Sequence, residues 1–103
     1  MDLATKVRAD RINIEITGII KTVADTQAVK DAILGAREQY SDSPINFRLL
    51  DTFIITSSLI GFLIKVIQMD HYSLSVSVGS AELYEMLEDM NLIDIMNVIR
   101  DNA

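Results

Sequence analysis

The sequence predicts one two-layer α/β domain, with a sheet of four to five strands and helices gathered mainly on one of its faces. Three observations carry this. Segments of apolar–polar alternation recur at 11–17, 45–50 and 72–78. Between them, apolar residues return at helical spacing. Finally, the alternating segments keep a polar side (Asn13, Glu15 and Thr17 in one; Ser73, Ser75 and Ser77 in another). A strand covered on both faces would lack one. Strands alternating with helices imply parallel pairing through right-handed crossovers, in the order β-β-α-β-α-β-α.

Residues 3–8 (LATKVR) alternate weakly and suit an edge strand, where Lys6 and Arg8 would discourage pairing with another chain. Ala9-Asp10 then turns into 11–17 (RINIEIT), whose Ile12, Ile14 and Ile16 face one way. Gly18 ends that strand, and Ile19, Ile20 and Val23 fall in a connection. Asp25 or Thr26 is the expected N-cap of a helix from Gln27 to Tyr40. Val29, Ala32, Ile33, Ala36 and Tyr40 form its apolar face. Gly35 inside it lowers helix propensity by about 1 kcal/mol, and close packing of helix on sheet is the expected compensation.

Ser41-Asp42-Ser43-Pro44 is a loop leading into strand 45–50 (INFRLL). Asp51 to Met69 reads as a strand end, a hydroxyl-bearing loop at Thr56-Ser57-Ser58, and a helix. That helix has a wide apolar face of Leu59, Ile60, Phe62, Leu63, Val66 and Ile67. His71 falls in the turn before strand 72–78 (YSLSVSV). Gly79-Ser80 leads into helix 81–90, with Ser80 as N-cap. The tail (LIDIMNVIRDNA) is expected to form a short helix finishing in a brief strand.

Composition narrows the function. The 103 residues fit a single domain over 1–103, and half of them are hydrophobic, enough for a core. The net charge is −6 and no basic stripe with interleaved aromatics occurs, which argues against a nucleic-acid partner. Without cysteine there is no disulfide or thiolate metal site. His71 is the single histidine, so no metal is expected, and no Gly-rich loop or nucleophile motif points to a cofactor or an enzyme. The start, MDLATKVRAD, lacks the apolar region of a signal peptide. The apolar run Phe53–Ile67 is shorter than the ~20 residues of a spanning helix. No membrane insertion and a cytoplasmic location are expected.

Thr56-Ser57-Ser58 remains. A hydroxyl before an apolar helix is ordinarily an N-cap worth ~1 kcal/mol, and on residue physics alone that is the simpler role. The same place suits a phosphate, which would meet free backbone N–H groups and the positive end of the helix dipole. Phosphorylation there adds about −1.5 to −2 charge at one point.

Three segments together resemble the STAS domain family (sulfate transporter and anti-sigma factor antagonist). INIEITGIIKTVADTQAVKDAI is similar to that family's strand, turn and first helix. FIITSSLIGFLIKVIQ resembles its central segment, and YSLSVSVGSAELYEMLEDMNLIDIM its next strand and helix. The resemblance implies a mixed sheet with helices packed against it. It also implies an anti-sigma factor antagonist, a partner-switching protein that binds an anti-sigma factor or serine kinase-type protein. Phosphorylation releases the complex, and a phosphatase resets it. By the resemblance, Ser57 stands at the phosphoacceptor, with Ser58 and Thr56 as neighbouring alternatives, and Thr56, Ser57, Ser58, Leu59 and Gly61 form the partner surface. Two positions depart from the family pattern: Thr56 replaces its aspartate and Leu59 replaces its first glycine. A monomer or weak dimer is expected. The alternatives are a constitutive scaffold in which Ser57 only caps a helix, and a small-molecule module binding nucleotide or lipid near that helix start.

Overall fold

The computed structural model describes residues 1–101. Its elements are β1 (Asp2–Val7), β2 (Ile12–Thr17), α1 (Val23–Gln39), β3 (Ile45–Leu49), α2 (Ser57–Gln68), β4 (Leu74–Val78), α3 (Ala81–Asp89) and β5 (Val98–Arg100). The sheet order is β1-β2-β3-β4-β5. β1 is antiparallel to β2, and every later pair is parallel. This is a mixed five-stranded sheet in a two-layer α/β fold.

Strand alternation decides where the core lies. Ile14, Phe47 and Val76 are register partners on β2, β3 and β4, and all are fully buried. They join Val29 and Ile33 of α1, Leu59, Leu63 and Val66 of α2, and Leu83 and Leu87 of α3 in one cluster. Each parallel crossover steps the same way along the sheet. Crossovers of one hand stepping in one direction leave their helices on one face. The other face carries Asn13, Glu15, Asn46, Arg48, Ser75 and Ser77. There Glu15 pairs with Lys6 of β1 at 2.9 Å and Arg48 of β3 at 2.8 Å. Arg48 also reaches Asp101 at 2.8 Å, so a row of charges ties the strands together across the open face.

Several boundaries differ from the sequence expectation. α1 starts four residues early, because Thr22, not Asp25 or Thr26, is its N-cap. Thr22 Oγ1 accepts the Asp25 N–H at 2.9 Å, while Thr26 is buried a turn later. Val23 therefore belongs to the helix, and it is 88% exposed. Gly35 faces solvent, and a Cβ there would meet nothing within 4 Å, so close helix–sheet packing does not explain it.

Strand β3 stops at Leu49, and residues 51–55 are irregular rather than extended. They clasp the end of β2 instead. Gly18 N–H donates to Asp51 Oδ1 at 2.8 Å, and the buried Thr52 hydroxyl donates to Gly18 O at 2.6 Å. Gly18 has φ +88°, a conformation that glycine adopts at no steric cost. β4 starts at Leu74, two residues later than expected, after His71 turns the chain with φ 55°.

The tail makes turns, not a helix, before the brief strand β5. Asn91 and Asn97 there take φ 59° and 52°, which interrupts helical geometry at both ends. Leu92 and Met96 still plug the core. The last two residues of the expected domain, 102 and 103, lie outside the described residues. Among the described residues, no helix is long and apolar enough to cross a membrane.

Candidate functional site

The start of α2 lies beside the start of α1. Thr56 has extended backbone (φ −79°, ψ 153°), and its Oγ1 accepts the Leu59 N–H at 3.2 Å. Thr56 is thus the N-cap, and Ser57 is the first helical residue rather than the cap. Ser57 is exposed, and its hydroxyl makes no hydrogen bond to any of the described residues. Ser58 accepts a hydrogen bond from Lys30 Nζ at 2.9 Å. The Lys30 ammonium also sits 5.7 Å from the centre of the Phe62 ring.

A cleft of about 190 Å³ opens between the two helix starts, lined by Lys21, Thr22, Thr26, Lys30, Thr56 and Ser58. The first turn of α2 holds no acidic residue, so nothing there offsets the positive end of its dipole. Asp25 plays that part for α1. Partial removal from water pushes its carboxyl up, but hydrogen bonds from Thr22 and the Lys21 and Thr22 backbone outweigh this and hold it below the usual range. The arrangement favours negative charge at Ser57 and Ser58, through backbone dipoles and two nearby lysines.

The residues singled out in the sequence do not all share this surface. Thr56, Ser57 and Ser58 sit together at the helix start. Gly61 lies one turn beyond Ser57 on the same side, exposed, with open space where a Cβ would stand. Leu59 is fully buried in the core and offers nothing to a partner. Its packing accounts for an apolar residue at that position.

Four further residues belong to the site. Thr26 and Lys30 come from α1, 30 and 28 positions before their partners Thr56 and Ser58, and no local pattern links them to Ser57. Phe53 and Ile54, just before the cap, are 46% and 51% exposed. Reading 51–55 as a strand end hid them, although two adjacent apolar residues between Thr52 and Ile55 break strict alternation. Among the described residues, no group of His, Cys, Asp and Glu is placed to hold a metal ion. Neither a protein-family model nor a curated protein matches the chain.

Proposed function

We propose that the chain is a partner-switching regulatory module, cytoplasmic and of the anti-sigma factor antagonist kind. Unmodified, it binds an anti-sigma factor or serine kinase-type protein through the surface around Ser57. Phosphorylation of Ser57 releases that partner, and a phosphatase restores binding. The observation that carries this reading is the free, exposed Ser57 hydroxyl at the start of α2. A kinase can reach such a group without unfolding the helix. Exposed Phe53 and Ile54 beside it supply apolar area for docking.

The switch is electrostatic. A phosphate adds about −1.5 to −2 charge next to that apolar area, where a partner would have to strip it of water. The helix dipole and the nearby lysines stabilise the phosphorylated free form. The test is incubation with a co-purified serine kinase and ATP, followed by mass spectrometry and a binding assay. Phosphate on Ser57 with loss of the partner, mimicked by Ser57→Asp, is expected. Unmodified Ser57, Ser58 and Thr56 would end the switching mechanism.

The open, serine-bearing sheet face favours a second reading, a constitutive scaffold in which Ser57 is never modified. Light scattering separates the two. The scaffold self-associates at high concentration, and the switch stays a monomer or weak dimer.

A further inference from the structure

We propose a second binding site on the sheet face opposite the helices, where Arg11, Asn13 and Ser75 hold a small organic anion. The site is a groove of about 570 Å³ running across β2, β3 and β4. That volume falls within the roughly 300–1,000 Å³ of small-molecule pockets. Pro44 and Arg11 stand at its β2–β3 end, and Ile99 and Arg100 at its β5 side.

Asn13 is the anomaly that marks the groove. It is 6% exposed, and its Oδ1 is sealed from solvent without a hydrogen-bond partner. Nor does its amide N–H₂ bond to any of the described residues. Buried amides are ordinarily paired. Oδ1 is the sealed end of this amide, whereas the N–H₂ end is neither sealed nor bonded, so it is the end that a ligand in the groove can take.

The neighbouring side chains explain which groups stay available. Asn46, the register partner of Asn13, is fully engaged. It donates to Ser75 Oγ at 3.0 Å and Ser77 Oγ at 2.9 Å. Ser75 Oγ therefore accepts, and its own proton is free to point into the groove. Arg48 is committed to Glu15 and Asp101. Arg100 is committed to the carbonyls of Val78 and Gly79. Arg11 has no partner among the described residues and is exposed at the mouth. Apart from the sealed Asn13 Oδ1, which accepts, the unengaged groups are thus a guanidinium, an amide N–H₂ and a hydroxyl, all donors.

A set of donors fits a ligand rich in acceptors. Three arginines against Asp10 and Asp101 also make the lining net positive, in a chain of net charge −6. The fitting occupant is a phosphate- or carboxylate-bearing metabolite with a body the size of a sugar or nucleoside. Its anionic group would take Arg11 and Asn13, and a hydroxyl or ring oxygen would take Ser75.

The experiment is an NMR titration of the ¹⁵N-labelled protein with AMP, glucose 6-phosphate and citrate, each to millimolar concentration. At least one should shift the amide signals of Asn13, Asn46 and Ser75, including the Asn13 side chain. Arg11→Gln, at an exposed position, should weaken that binding roughly tenfold and leave the rest of the spectrum unchanged. Asn13→Val should abolish binding and raise the unfolding midpoint, since it removes the unpaired amide. No shift with any of the three anions overturns the proposal. Shifts confined to Thr56–Ser58 overturn it too, as does binding that is indifferent to Arg11→Gln.

Discussion

The Thr26 hydroxyl lies 3.1 Å from the Thr56 hydroxyl, so one side-chain pair joins the first turn of α1 to the N-cap of α2. Thr26 is 5% exposed, and Thr56 is its side-chain partner. Thr56→Ala removes the cap and also leaves Thr26 buried and unpaired. A loss of about 2 kcal/mol is expected, against less than about 0.5 kcal/mol for Thr56→Ser, which keeps the oxygen. Urea unfolding at unchanged m-value measures both.

Ser57→Glu is expected to stabilise the fold by about 0.3–1 kcal/mol. The position is exposed, the first turn of α2 has no acid, and the new charge meets the positive end of the dipole. Thermal unfolding at low and high salt checks this, and the gain should shrink as salt is added. A destabilised Ser57→Glu would mean that the helix start does not favour anions.

The glycines divide sharply. Gly35 and Gly61 stand in helix interiors with open space at the Cβ position. Replacing either with Ala should raise stability by roughly 0.5–1 kcal/mol. At Gly79 a Cβ would come within 2.1 Å of the Leu50 carbonyl oxygen. Backbone must move there, and Gly79→Ala should lower stability by about 1–3 kcal/mol. The same denaturant series reads all three.

Acid should destabilise the fold through Glu15. A hydrogen bond from Lys6 is the main cause that holds its carboxyl below the ordinary 4.5; burial opposes this, and the charges of Lys6 and Arg48 reinforce it. A folded-state pKa below the unfolded one contributes stability above the unfolded value, and that stability is lost as pH falls through the folded value. Glu82 adds in the same direction, through its own backbone N–H and the Ser80 hydroxyl. Glu15→Gln should therefore flatten the acid limb of a plot of stability against pH. An unchanged slope below 4.5 would show that the Lys6–Glu15–Arg48 row contributes nothing.

Sequence periodicity is read most easily where a side chain answers to one neighbouring layer. Ile12, Ile14 and Ile16, and Leu74, Val76 and Val78, alternate because one face meets helices, and their burial follows that pattern. Ser80 caps α3 as its sequence implies. The start of α1 was obscured by Val23, an apolar residue that looks like packing but faces water. The Thr22-x-x-Asp25 spacing was the better guide. β5 is three residues long, too short for any period, and only pairing with β4 makes it a strand. The site was legible at Ser57, a local signal. Lys30 was not, since it meets Ser58 across 28 positions of sequence. The unpaired Asn13 was equally hidden, because it follows from what Lys6 and Asn46 bond to instead.

Strand order has a consequence for how the chain folds. Because the sheet runs β1 to β5 without a swap, each strand finds its neighbour already made by the preceding stretch of chain. No early strand waits for a late one, and no loop must close around a finished sheet. On a ribosome, the β1–β2 ribbon can form first, then admit β3 as α1 closes over it, and so on to β5. Such stepwise accretion keeps closure entropy small at every stage. It also leaves one growing edge exposed at a time.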